Sequence, residues 1–128
     1  MVKLNLKHGL PFCNITLFYH GRSKTIEDVL IDTGSGGTVF KMDEVDEVGI
    51  TIEDNDMIET ISGVGGSELV YKKNVDYINL GDIEIRDFTI EVGVMDYGFD
   101  INGILGMDFL RYIGAIIDLD RMVLEIKN

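Results

Sequence analysis

Val29 to Phe40 reads VLIDTGSGGTVF, and the reading of the whole chain depends on this stretch. Three apolar residues lead into Asp32, and the chain then turns on Thr33, Gly34 and Ser35. Side chains alternate along a strand, so Leu30 and Asp32 face the same way. A carboxylate projecting from an apolar wall is costly, because burying it unpaired costs several kcal/mol or forces it to take up a proton. Asp32 is therefore either a turn residue that reaches water or a group whose proton is used. Backbone N–H groups of Thr33 and Gly34, and the hydroxyl of Ser35, lie within local reach to hold the carboxylate in one orientation.

Working outward, "VKLNLK" near the start alternates as a half-buried strand does. "FCNITLFYH" and "TIEDVLID" read as two strands of a hairpin around "GRSK". "MDEVDEVGI" holds one short helix with Met42, Val45 and Val48 on one side and Gly49 at its end. "DMIETIS" and "ELVYKK" flank "GVGG" and form a second hairpin. Further strands surround a turn at Gly81 and Asp82, "MDFLRYIG" is a short helix closed by Gly114, and "AIIDLDRMVLEIK" is a final hairpin. A weak internal echo links "VLIDTGSGG" with "NGILGMDFL", both apolar runs ending in a glycine, Gly34 and Gly106.

Bulk properties narrow the classes. A chain of 128 residues with 45% hydrophobic residues suggests a single globular domain over residues 1–128. The 15 glycines between short apolar runs point to tight turns joining strands. Eleven Lys and Arg against 23 Asp and Glu give a net charge of -12, which disfavours nucleic acid and anionic membrane surfaces as partners. Cys13 is the only cysteine, so no intrachain disulfide forms. No apolar run approaches the ~20 residues of a membrane helix, and the start lacks the apolar core of a signal peptide. The expectation is a soluble, cytoplasmic protein.

Three features in order, the apolar approach to D-T-G-S, the glycine-rich hairpin "ISGVGG" and "INGILGMDFL", together resemble the retropepsin-like aspartic peptidases, the single-domain relatives of pepsin. The resemblance runs from about Phe12 to Ile126. It implies an all-β, closed-barrel-like acid-protease fold with one or two short helices. Asp32 matches the catalytic aspartate. Thr33 matches the threonine that bonds across a dimer axis, and Gly34 the glycine that lets substrate backbone approach. Ser35 follows as a supporting residue, familiar from the pepsin-like members. Leu30 and Ile104 match pocket walls, and Gly63, Val64, Gly65 and Gly66 match a flap tip over the substrate. Gly36 and Gly37 depart from the small members' pattern, which carries a less flexible pair there.

The chemistry that the resemblance implies needs two carboxylates. One, ionised, takes a proton from the attacking water, and the other, neutral, gives one to the peptide carbonyl. This chain offers one D-T-G, and the echo places Leu105 and Met107 around Gly106, with no carboxylate at the matching place. Two chains related by a twofold axis beside Asp32 would supply the pair. The expected function is an aspartic endopeptidase acting as a homodimer on peptide or protein substrates. The alternative is a catalytically silent module of the same fold that binds peptides or partners.

Other residues have plainer readings. Asp108 caps the helix that follows it. "DEVDEV" is a solvated helix face. "DLDR" is a turn, His8 and His20 have no second ligand at zinc spacing, and Cys13 is buried and inert. No metal or cofactor is expected.

Overall fold

The computed structural model describes residues 1–63, 66–97 and 100–126. The chain opens with β1 (Val2–Lys3) and β2 (Asn5–Lys7), then the long hairpin of β3 (Leu10–Tyr19) and β4 (Arg22–Ile31). β5 (Val39–Lys41) leads into α1 (Met42–Val45) and a 3₁₀ turn over Asp46–Val48. β6 (Ile58–Gly63), β7 (Gly66–Leu80) and β8 (Ile83–Gly93) follow as a meander. β9 (Gly103–Leu105), α2 (Met107–Ile113), β10 (Ala115–Asp118) and β11 (Val123–Ile126) complete the chain. Among the described residues, no helix is long and apolar enough to cross a membrane.

The strands form two sheets. β1, β11 and β10 make a small one, and eight strands run in the order β2-β3-β4-β9-β5-β8-β7-β6. An additional pairing of β3 with β7, Thr16 with Asn79 through Phe18 with Tyr77, closes the larger sheet on itself. The all-β, barrel-like expectation with two short helices therefore holds. β4 and β5 are successive strands, yet they do not pair with each other. β9 inserts between them, parallel to β4 and antiparallel to β5.

Local chemistry accounts for the corners. The β3–β4 turn is a two-residue connection at His20 and Gly21, both with positive φ (48° and 82°), which matches the right-handed twist of the strands. The strands continue through Arg22 to Lys24, so the turn is two residues tighter than "GRSK" suggests. The first helical segment ends on Gly49 in the left-handed conformation and α2 ends on Gly114 in the same way. "VKLNLK" divides at Leu4, which is buried and sends β1 to one sheet and β2 to the other.

"ELVYKK" and the strand expected before the turn at Gly81 are one continuous strand rather than two, β7. Lys73 breaks the apolar pattern but sits on the inward face between Tyr71 and Val75, only 7% exposed. Its ammonium meets Glu53 at 2.6 Å and Asp56 at 2.9 Å, so its aliphatic stem fills the wall while its charge is paired. Those carboxylates hold its pKa well above the usual lysine range, against the opposing effect of burial.

Two apolar clusters result. The larger fills the barrel and includes Ile15, Leu17, Val29, Ile31, Phe40, Ile90 and Phe109. The smaller comprises Phe12, Leu30, Val39, Val70, Met95 and Ile101, with Ile61 and Ile104 packed against it. Cys13 belongs to the larger cluster, and burial pushes its thiol pKa up to about 12, as expected of an inert cysteine.

Candidate active-site groove

The placement of Asp32 begins with a bulge four residues upstream. Cys13 pairs with Val29 but Ile15 pairs with Ile26, so one extra residue lies in β4 between Ile26 and Val29. Asp28, at φ 56°, takes up the irregular conformation. Lys7 donates to its carboxylate at 2.6 Å, and the Asn102 backbone N–H donates to its carbonyl at 3.0 Å. The extra residue inverts the facing of everything after it. Ile26, Val29 and Ile31 point into the barrel, and Leu30 lies in the smaller cluster on the opposite face. Asp32 continues that opposite face and lines a groove with Leu30.

The groove has a volume of about 1380 Å³. Its floor is the smaller cluster, and its walls come from the turn after β4, the β6–β7 hairpin and the segment after β8. Asp32 is half-buried, so within one chain its carboxylate still reaches water. Its N–H donates to the Leu105 carbonyl at 3.0 Å, which fixes the turn to β9. Gly34 N–H donates to Asp32 Oδ1 at 2.9 Å, and a Cβ at residue 34 would stand 3.1 Å from that oxygen. The absence of a side chain at Gly34 permits this close approach. The Ser35 hydroxyl does not reach the carboxylate. It donates to the Gly37 carbonyl at 2.8 Å and braces the turn internally. Thr33 is exposed.

The turn rests on the start of α2. Met107 N–H donates to the Ser35 carbonyl at 2.7 Å and Asp108 N–H to the Gly36 carbonyl at 3.3 Å. Helix donors that would otherwise be unsatisfied are thus bonded to the turn. The helix is entered at Gly106, and Asp108 lies inside the first turn rather than at the cap. Its Oδ1 accepts from the Phe109 N–H and from the hydroxyl of Thr38, both at 2.7 Å. Thr38 is fully buried, and its Oγ1 also accepts from Gly106 N–H at 3.1 Å. A Cβ at residue 106 would overlap the Gly37 carbonyl, so only glycine lets the two turns touch.

Of the other residues expected to form the site, Ile104 pairs with Leu30 across β4 and β9 and lines the groove. Gly63 and Gly66 pair at the end of the β6–β7 hairpin, and Val64 and Gly65 lie outside the described residues. Ile61 lines the groove from this hairpin and packs on the smaller cluster of its own chain. Among the described residues, no group of three or more His, Cys, Asp or Glu is placed to hold a metal ion.

The structure adds residues that the sequence did not single out. Glu68 accepts the Met95 N–H at 2.9 Å and the Tyr97 hydroxyl at 3.1 Å, which ties the segment after β8 to the hairpin. Burial and the nearby carboxylate push the Tyr97 pKa up to about 12. Glu91 also lines the groove, beside Gly37.

Comparison with known proteins agrees with this construction. Residues 19–109 match the family model described as aspartyl protease. No curated protein matches the chain. Among solved structures, a retropepsin-like aspartic protease from Rickettsia conorii superposes with a TM-score of 0.67, covering 97% of this chain and 95% of that one. At 18% identity, that likeness concerns the fold. The family match spans the hairpin, the D-T-G turn and β9, the elements that build the groove, and the chain belongs to the aspartyl protease family with a retropepsin-like fold.

Proposed function

We propose that the protein is an aspartic endopeptidase whose two catalytic carboxylates are the Asp32 side chains of two identical chains. One observation carries this reading: Asp32 stands in a large groove, while the matching turn at Leu105-Gly106-Met107 supplies no second acid. Two carboxylates brought together resist ionising together, so one keeps a proton and the pair titrates as a unit. The ionised member takes a proton from water as the water attacks the peptide carbonyl, and the neutral member protonates the carbonyl oxygen. Proton transfer to the amine then releases the two products.

The remaining roles follow from position. Thr33, exposed next to Asp32, bonds across the twofold axis. Gly34 orients the carboxylate and leaves space for substrate backbone. Ser35 braces the turn. Leu30 and Ile104 form an apolar wall against a substrate side chain. The hairpin carrying Gly63, Val64, Gly65 and Gly66 covers the bound peptide and excludes water.

Mixing tests the shared site directly. Adding a fourfold excess of the Asp32→Asn chain to wild type, with time for subunits to exchange, should lower cleavage of a denatured-protein substrate to roughly one-fifth, since mixed dimers hold only one acid. Activity unchanged by the added variant would mean that one chain suffices. Absence of any cleavage at concentrations where sedimentation shows a dimer would leave the protein a binding module.

A further inference from the structure

Besides Asp32, four carboxylates line the groove: Glu68, Glu91, Asp96 and Asp108. Two are engaged by their own chain. Glu68 accepts the Met95 N–H and the Tyr97 hydroxyl, and Asp108 accepts the Thr38 hydroxyl and the Phe109 N–H. Asp96 is exposed at the rim. Glu91 differs from all three. It is half-buried on β8, and although its backbone N–H donates to the Thr38 carbonyl at 2.9 Å, its carboxylate makes no hydrogen bond or close ion pair with another described residue. Lys72, its register partner on β7, is within ion-pair distance of Glu59 instead, at 3.3 Å.

The chain also makes room for this carboxylate. A Cβ at residue 37 would overlap Glu91 Oε1, so the carboxylate occupies the space that a side chain after the D-T-G-S turn would fill. The second glycine of the Gly36-Gly37 pair thereby has a structural reason. Glu91 pairs with Val39 across β5 and β8, and Val39 belongs to the groove floor. An acid thus stands at the edge of an apolar floor, facing space that a substrate would occupy. Burial raises its pKa, opposed by Lys72 and helped by Asp108 and Glu59, as for a carboxylate that no cation contacts closely.

We propose that Glu91 is a specificity-determining residue that receives a lysine or arginine side chain of the peptide, and that Gly37 makes its position possible. A cationic head would supply the hydrogen-bond donors that Glu91 lacks, while the methylene stem lies along Leu30 and Val39. The proposal rests on the groove being the substrate site, but it concerns recognition and not the chemical step. The net charge of -12 favours any cation over long range, so the test must isolate this one carboxylate.

The experiment has two arms. In the first, a cleaved peptide is made with Lys, norleucine or Glu at each position near the scissile bond, and kcat/KM ratios are compared for wild type, Glu91→Gln and Gly37→Ala. The Lys-to-norleucine ratio should be roughly tenfold at one position or more in wild type and fall towards one in both variants. Glu91→Gln removes the charge, and Gly37→Ala displaces it without removing it. In the second arm, labelled cationic, neutral and anionic peptide pools are bound to Asp32→Asn protein with and without each change, by fluorescence anisotropy. A cationic preference that falls in both variants supports the proposal even if no peptide is cut, in which case only the peptidase reading fails. A ratio near one in wild type, or a preference unchanged in the variants, overturns it.

Discussion

The turn after β4 and the turn after β9 share a layout and lean on each other, yet they handle their carboxylates in opposite ways. In both, an apolar strand runs into a glycine, and the Ser35 and Gly36 carbonyls of the first receive N–H groups from the second. Asp32, on the first, accepts one hydrogen bond from Gly34 and remains open to the groove. Asp108, on the second, is held by Thr38 and by the Phe109 N–H. One turn keeps an acid available, and the other uses an acid to fix its partner. A carboxylate in a groove is thus no sign of chemistry until its own hydrogen bonds have been accounted for.

The sharpest way to break the comparison is to remove each acid in turn. Asp32→Asn should lower peptide cleavage roughly 10³-fold or more while thermal unfolding stays near that of wild type. Asp108→Ala should do the reverse, costing about 2 kcal/mol by leaving the buried Thr38 hydroxyl without its acceptor, with residual cleavage that follows the folded fraction. Cleavage by purified Asp32→Asn protein at the wild-type rate would remove the distinction.

Contact between the turns can be tested without touching either acid. Gly106→Ala should cost about 3 kcal/mol in denaturant unfolding, because the added methyl meets the Gly37 backbone and not a side chain that can swing away. A loss below ~0.5 kcal/mol would show that the two turns separate readily.

The smallest effect concerns Glu91, whose folded pKa lies above its ordinary 4.5. A raised acid contributes its full stability below the unfolded value and loses it as pH rises through the folded value. Wild type should therefore lose stability above about pH 4.5 that Glu91→Gln retains. The variant's melting temperature should match wild type near about pH 4 and exceed it slightly near about pH 7.5. Equal melting temperatures at both would mean that the carboxylate is solvated at no cost. Higher stability together with weaker selection of cationic peptides would mark a residue kept for recognition.

Much of the arrangement was legible because it is local. Period-two facing placed Leu30 with Asp32, Gly49 and Gly114 marked the helix ends, and the D-T-G-S and "ILGMDFL" strings marked the two turns. What stayed hidden depends on partners distant in sequence. Lys72-Lys73 looked like the end of a strand, since the burial of Lys73 depends on Glu53 and Asp56. The bulge at Asp28 leaves no sign in "TIEDVLID", yet it decides which face carries Asp32. Ser35 was within reach of the carboxylate but found a closer acceptor at Gly37. Gly37 was visible as a departure, but its cause, Glu91, lies on another strand.

The insertion of β9 between β4 and β5 also sets an order in time. β4 ends at Ile31, just before Asp32, but the strand that fixes this end is made only after β5 to β8, and Thr38 must wait for Asp108, 70 residues later. Contacts so distant form only after the intervening chain has closed its loops. During synthesis Asp32 therefore stays at the end of an unsupported strand until Leu105 is present to accept its N–H. A growing chain has no formed groove around Asp32 until β9 has been made.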